Sequence, residues 1–391
     1  MNCKTDLIVV GGGVLGTFHA FHALQNGLTV TLFEKDKQPL GATVRNFGQV
    51  VPSGMDIKWQ QYGRESLKLY KEIQQEIDLT VRQNGTVYIA SNEEELTLLE
   101  ELHQINKSND YLSKLLTKEE CIGQFSGVKP SYALGGLFFP EEATVDSIYL
   151  IHQFQKYLID KYKLKYITNT AVKSCESVGN DIVKVTTAND DVYESSKVII
   201  CNGSDFKLLY PELYNDSDLE VTKLQILQTK PQENYTLKGN ILTGLSIRRY
   251  ESFSECSSYK FIKEKEAIDS LEKKWGIHII FKQGVDGSIY FGDSHEYADA
   301  KDADLLGYEL NMEIDNFMIQ EAKKIIDFPN WELQRRWTGV YSQCKNKDIF
   351  QKTIDNNIHI VTGIGGKGMT GSGGFSKENI ATIFNLNTVS L

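Results

Sequence analysis

A short apolar run, Asp6-Leu7-Ile8-Val9-Val10, leads directly into Gly11-Gly12-Gly13-Val14-Leu15-Gly16. A second run, Thr29-Val30-Thr31-Leu32-Phe33, ends at Glu34. This order of strand, glycine turn, helix, strand and acid leaves few folds open. Runs that short and apolar read as buried strands. Gly11 permits the tight turn, Gly13 lets the backbone approach a pyrophosphate, and Gly16 lets the helix pack closely on the strand. The helix expected over 14–26, with Val14 and Leu15 in its first turn, aims its N–H groups and positive dipole end at phosphates. Glu34 can accept two hydrogen bonds from a ribose diol, and Lys35 follows it. At this spacing the features point to a dinucleotide site in a doubly wound, Rossmann-like α/β unit. Lys35-Asp36-Lys37, rather than a phosphate-reading arginine, follows the acid. That arrangement suits FAD, and the motif alone leaves NAD open.

The 391 residues are 41% hydrophobic with 7 prolines, enough for a sizeable core and two domains. The net charge of −10 argues against a nucleic-acid partner, which needs clustered positive charge. An anionic substrate must then be held by local basic groups against the overall field. The six cysteines, Cys3, Cys121, Cys175, Cys201, Cys256 and Cys344, form no C-x-x-C pair, and no histidine sits at ligand spacing from one. Scattered thiols suit a reducing cytoplasm better than a disulfide framework or a zinc site, so no metal is expected. Residues 7–10 and the helix beyond resemble a signal-peptide core, but Asp6 and the intact glycine fingerprint argue against it. No uninterrupted apolar stretch is long enough to span a membrane.

Farther along, 56–77 has a long amphipathic pattern with Trp59, Leu67, Tyr70, Ile73 and Ile77 inward. Strands are expected at 85–90, 166–167, 172, 182–187 and 198–200, and helices from 91 and over 146–162. The 198–200 strand ends in Cys201-Asn202-Gly203, a turn that in a doubly wound sheet lies at the carboxyl edge where ligands collect. Strand ends without ligands look the same. Over 219–293 the texture becomes alternating strands, at 222–229, 242–249, 278–283 and 288–292, with a hairpin at Asp286-Gly287. This reads as an antiparallel sheet distinct from the cofactor layer. A helix is expected over 311–326. The strand at 358–362 then runs into Gly363, Gly365, Gly366, Lys367, Gly368, Met369, Thr370, Gly371, Gly373 and Gly374, which suggests backbone passing close to a flat ligand before a helix over 378–384.

These pieces together resemble the D-amino-acid, glycine and sarcosine oxidase superfamily of FAD enzymes over nearly the whole chain. The resemblance implies an FAD domain from 1–80, 141–215 and 335–391, with a substrate domain from 81–140 and 216–334 roofing the flavin. It implies cofactor contacts from Gly11, Gly13, Val14, Leu15, Gly16, Glu34 and Lys35. Further contacts would come from Thr43, Arg45, Asn46, Gly48 and Gln49, from Val172, and from Cys201, Asn202 and Gly203. Gly339, Gly363, Gly365, Gly366, Lys367, Gly368, Met369 and Thr370 complete the set. Residues 41–50 are similar to the flavin-contacting loop of D-amino-acid dehydrogenases. Residues 286–295 and Arg335-Arg336-Trp337-Thr338-Gly339-Val340-Tyr341-Ser342 resemble a subgroup associated with phosphonate catabolism.

The resemblance implies hydride transfer from the carbon next to an amine to flavin N5, then hydrolysis of the imine. The substrate expected is a small anionic amine, an aminoalkylphosphonate or, alternatively, a D-amino acid, glycine or sarcosine. Oxygen or another acceptor takes the electrons. Tyr341 aligns with a cavity tyrosine of sarcosine oxidases, where glycine and D-amino-acid oxidases carry a carboxylate-binding arginine. His295 aligns with an active-site histidine and is the first choice for orienting the amine; a strand-end cap is its other reading. His278, on an apolar strand, is either a core histidine or a site residue. Arg45 can pair with the substrate anion or with the cofactor phosphates. Lys367 can face the flavin N1–C2=O region, the substrate or solvent. Arg248, Arg249 and Tyr250 are expected on the substrate-domain sheet, with at most one arginine facing the cavity. Tyr290 takes the place of a lysine that promotes reaction with oxygen in sarcosine oxidases, which points to a dehydrogenase. The cysteine that tethers FAD there falls at Gly339, so a noncovalent flavin is expected, with Cys344 the alternative tether.

Overall fold

The computed structural model describes residues 5–179, 181–266 and 270–386; Cys3 lies outside them. Two large sheets organise the chain, one of eight strands and one of nine.

The first sheet begins as the glycine fingerprint requires. Strand Thr5–Val10 is followed by helix Val14–Gln25 and strand Val30–Phe33, which pairs parallel to the first. Val192–Ile200 lies parallel on the other side of Thr5–Val10, with Ile358–Thr362 beyond it. Lys165–Ile167 extends the parallel set past Val30–Phe33. Val192–Ile200 therefore lies between strands from opposite ends of the chain, and the carboxyl ends of these strands form the crevice where ligands bind in such sheets. Helices Val14–Gln25, Ile57–Gln74, Ser147–Tyr162 and Gly368–Ile383 contribute Phe18, Trp59, Tyr70, Phe154 and Phe375 to one core.

The second sheet is antiparallel apart from Asn240–Leu242 against Thr86–Ala90. Its long strand Leu219–Pro231 pairs with Ser288–Asp293, Glu296–Asp299 and Leu333–Cys344. One face buries Phe281 and Phe291 against Met318 of helix Met312–Ile325. The other carries Leu224, Ile226 and Trp337 toward the first unit.

Three expectations change. Residues 335–344, placed with the FAD layer, belong to the second sheet, because their strand is zipped along 219–229. Residues 242–249 are not one strand: Thr243 and Ser246 form a reciprocal cap and start the short helix Gly244–Ile247, so Arg248, Arg249 and Tyr250 follow a helix end. The last helix starts at Gly368 rather than near 378, so the final glycines are helical. Among the described residues, no helix is long and apolar enough to cross a membrane, and no group of three metal-capable side chains assembles.

Candidate active site

A cavity of about 1070 Å³ lies between the two sheets. One end is built on the glycine turn. Gly11 has φ +106°, and a Cβ there would lie 2.2 Å from the Cys201 carbonyl oxygen. Gly16 does not line the cavity; a Cβ there would meet the Gly11 oxygen at 2.0 Å, so its bare backbone lets the helix close on the strand. The helix carries no side-chain cap from Gly13, while Thr43 Oγ1 accepts the Val14 N–H at 2.9 Å. Glu34, 7% exposed, accepts the Gly12 N–H at 2.9 Å and the Asp36 N–H at 3.1 Å.

The loop over 41–50 is fastened by its own side chains. Asn46 Nδ2 donates to the Ala42 and Thr43 carbonyls, and its Oδ1 accepts from the Gly48 N–H and the Ser147 hydroxyl. Arg45 donates to the carbonyls of Leu40 (2.7 Å) and Thr338 (3.1 Å), tying the loop to the second sheet. The turn after Ile200 is fixed by Ser342 and Thr362, whose hydroxyls donate to the Gly203 carbonyl at 3.0 and 2.6 Å. Thr370 Oγ1 accepts the Val51 N–H at 3.1 Å.

The opposite end is lined by Arg249, Tyr250, His278, Asp293, His295 and Tyr341. Arg249 donates to the Gly276 carbonyl at 3.2 Å and the Tyr297 hydroxyl at 2.9 Å. His295 Nδ1 lies 2.8 Å from the same carbonyl, so that nitrogen carries the proton and Nε2 is an acceptor. Burial pulls His295 down to about 4 against the opposite pull of Asp293, which leaves the ring neutral at neutral pH. His278 pairs directly across the sheet with Asp293, and its Nε2 lies 2.7 Å from Ser246 Oγ. Burial pushes Asp293 upward, but His295, His278 and Arg249 outweigh it and hold the carboxyl below its ordinary range. Burial drives the hydroxyls of Tyr250 and Tyr341 far above the usual phenol range, so both remain protonated donors.

The family model for FAD dependent oxidoreductases of the DAO type matches residues 6–379. The chain belongs to this family. It is 25% identical over 147 residues to mitochondrial sarcosine dehydrogenase of Mus musculus, covering 36% of this chain and 16% of that protein. It is 29% identical over 128 residues to D-amino acid dehydrogenase of Vibrio vulnificus, covering 32% of this chain and 30% of that one. The matched segments thus span less than a third of either relative. Glycine oxidase from Bacillus cereus has the same fold, with TM-score 0.76 and 16% identity over 98% of this chain and 96% of that one.

The cavity residues fit FAD. Beyond the Val14 N–H taken by Thr43, the helix N-terminus offers N–H groups and positive potential to a pyrophosphate, and Glu34 retains acceptor capacity for a ribose. At Gly203 and Gly366 an added Cβ would meet open space, so bare backbone fronts the cavity there.

The structure brings the remaining sequence-derived candidates to the same cavity. Gly11, Gly13, Val14, Leu15, Glu34 and Lys35 line it, as do Thr43, Arg45, Asn46, Gly48 and Gln49. Val172, Cys201, Asn202, Gly203 and Gly339 do so as well, and so do 363 and 365–370. Several are already occupied. Lys35 pairs with Asp205 at 2.5 Å. Lys367 pairs with Glu251 at 2.6 Å, with Asp348 at 3.8 Å, so its charge is largely spent within the wall. Arg45 is committed to two carbonyls. Arg248 points away into Glu94, Glu95 and Glu266, which leaves Arg249 as the arginine of that pair in the cavity.

Sequence reasoning did not single out Asp293 or Lys282. Asp293 lies inside the motif quoted for His295, but strand alternation would put it with Ile289 and Phe291 in the opposite core. Gly292, at φ +69°, and a register shift between His278 and Phe281 turn it to the cavity side. Lys282 stands directly across from Tyr290 and behind Gly48, donating to the Val145 carbonyl at 2.5 Å. Burial lowers it to about 7. No local pattern marks a lysine on an apolar strand as buried.

Proposed function

We propose that this FAD-dependent oxidoreductase oxidises a small primary or N-methyl amine bearing an anionic group, with an aminoalkylphosphonate as the leading substrate. The observation that carries this reading is Arg249, a guanidinium at the cavity end that also holds His295, Tyr250 and Tyr341. Two of its N–H groups are used by Gly276 and Tyr297, and the remaining donors suit an oxyanion. His295 Nε2 accepts an N–H of the amine and orients its lone pair. The Tyr250 and Tyr341 hydroxyls donate to the substrate anion. Bound FAD supplies the acceptor for the hydride that leaves the carbon next to nitrogen. The low basicity of His295 means it orients the amine rather than storing its proton.

The phosphonate preference is supported by the resemblance of 286–295 and 335–342, and by Tyr341 standing where glycine and D-amino-acid oxidases carry a carboxylate-binding arginine. A carboxylate substrate is the second reading, favoured by relatives named D-amino acid dehydrogenase, sarcosine dehydrogenase and glycine oxidase. The test supplies 2-aminoethylphosphonate, its N-methyl derivative, glycine, sarcosine and D-alanine with either oxygen or a redox dye. Released ammonia or methylamine and the carbonyl product are then measured. Aldehyde from the phosphonates supports the first reading, and oxo acid from the carboxylates the second. No product from any amine overturns both.

A further inference from the structure

Tyr297 stands on an outer strand of the second sheet, yet it touches both groups that would hold the substrate. Thr222 of Leu219–Pro231 lies directly opposite Tyr297 of Glu296–Asp299 on one side and Tyr341 of Leu333–Cys344 on the other. Residues directly opposite each other share a face of a sheet. The two tyrosines therefore flank Thr222 on the face that Tyr341 presents to the cavity. The His295 ring meets both of them. Its centroid is 6.2 Å from that of Tyr297 with the planes 20° apart, and 6.5 Å from that of Tyr341 with the planes 76° apart. The Tyr297 hydroxyl accepts a hydrogen bond from Arg249 at 2.9 Å.

The other partner of Arg249 is the Gly276 carbonyl, which also receives the His295 Nδ1–H. Both partners of the guanidinium are uncharged, so they fix its direction and leave its charge for a ligand. Arg248 shows the contrast: its charge is met by Glu94, Glu95 and Glu266. Asp293 attracts Arg249 without a hydrogen bond between them. A guanidinium released by Tyr297 would turn toward that carboxylate and lose its hold on a ligand anion. We propose that Tyr297 is the positioning residue of this site: its hydroxyl aims Arg249 at the substrate anion, and its ring steadies His295 against the amine. This rests on the anionic-amine reading above and adds the residue that keeps the two ligand-holding groups aligned. Tyr297 is 46% exposed, so replacing it leaves the buried cores intact.

The test follows anaerobic flavin bleaching by 2-aminoethylphosphonate, sarcosine and D-alanine over a range of concentrations. The FAD-loaded wild type is compared with Tyr297→Phe, Tyr297→Leu, Arg249→Met and the double variant Tyr297→Phe/Arg249→Met. Each gives an apparent dissociation constant and a limiting rate. Tyr297→Phe keeps the ring and loses the acceptor. Its dissociation constant is expected to rise about tenfold, with a limiting rate within about threefold of wild type. Tyr297→Leu is expected to weaken binding similarly and also to lower the limiting rate about tenfold, because His295 is no longer held. In the Arg249→Met background Tyr297→Phe is expected to add nothing. An unchanged dissociation constant in Tyr297→Phe, or an equal effect with and without Arg249, overturns the proposal while the anion reading stands. A limiting rate lowered alike in Tyr297→Phe and Tyr297→Leu, the mark of a general loosening, also overturns it. An Arg249→Met enzyme that binds like wild type contradicts the anion reading and this proposal together, as does flavin that none of the three amines bleaches.

Discussion

Glu142 sits between the two units with no exposed surface, and its Oε1 accepts from the Ser53 N–H and the Tyr111 hydroxyl, each at 2.8 Å. Burial raises the carboxyl from 4.5 to about 7, so the fold prefers it protonated. Its contribution is complete below pH 4.5 and is lost as pH rises through about 7. The loss amounts to about 3 kcal/mol. His19 and His22 act with the opposite sign. Burial pulls each from 6.5 to about 4, so their contribution is complete above 6.5 and is lost as pH falls through about 4. Glu142→Gln is therefore expected to gain in denaturation midpoint over wild type as pH rises from about 5 to about 7, and to hold that gain above it. A difference that does not vary with pH would contradict this. Legibility at this scale was uneven. His295 and Tyr341 stood in recognisable motifs, and Gly11 and Gly16 had only one physical use each. Asp293 was hidden because one glycine at positive φ reverses the alternation on which strand reading depends.

The last helix shows how elements can mislead. Glycine weakens an isolated helix by about 1 kcal/mol per residue, so a run containing Gly371, Gly373 and Gly374 reads as a loop. Tertiary contact overrides that local preference. A Cβ at 371 would lie 2.8 Å from Trp59, and one at 374 would lie 2.4 Å from the Tyr62 carbonyl oxygen. The glycines let Gly368–Ile383 lie against Ile57–Gln74, and the same helix brings Met369 and Thr370 to the cavity. Gly374→Ala should cost about 2 kcal/mol or more and weaken FAD binding. Gly366→Ala, facing open space, should leave the midpoint nearly unchanged. Equal midpoints for the two variants, measured by thermal unfolding, would contradict this account. The short helix Gly244–Ile247 is a second case: Thr243 and Ser246 held a capping pattern inside what reads as a strand. The helices with strong amphipathic spacing and an Asp or Asn at their start, such as Ile57–Gln74 and Met312–Ile325, were legible within a residue or two at their starts.

For the molecule as a whole, the parallel layer followed from one glycine turn and one acid, because little else satisfies both. The cavity did not follow from local pattern. Its walls come from residues 10–55, 170–172, 201–209 and 339–370, among others, and only resemblance to a family joins segments so far apart. The assembled cavity also bears on how the flavin is held. A Cβ at Gly339 would lie 3.0 Å from the Arg45 carbonyl oxygen, so that position is packed close. Burial pushes the Cys344 thiol up to about 11, which leaves little thiolate to form a tether. Acid precipitation should release the flavin into the supernatant, and a yellow pellet would contradict this.

The most direct test of the central claim is anaerobic bleaching of the bound flavin's absorbance. 2-Aminoethylphosphonate, its N-methyl derivative, glycine, sarcosine and D-amino acids are added in separate cuvettes. The account predicts rapid bleaching by at least one of these anionic amines, led by the phosphonates, and a large loss of rate at low substrate when Arg249 is replaced by methionine. Flavin that stays oxidised with every amine, or an Arg249→Met enzyme that bleaches like wild type, would contradict it.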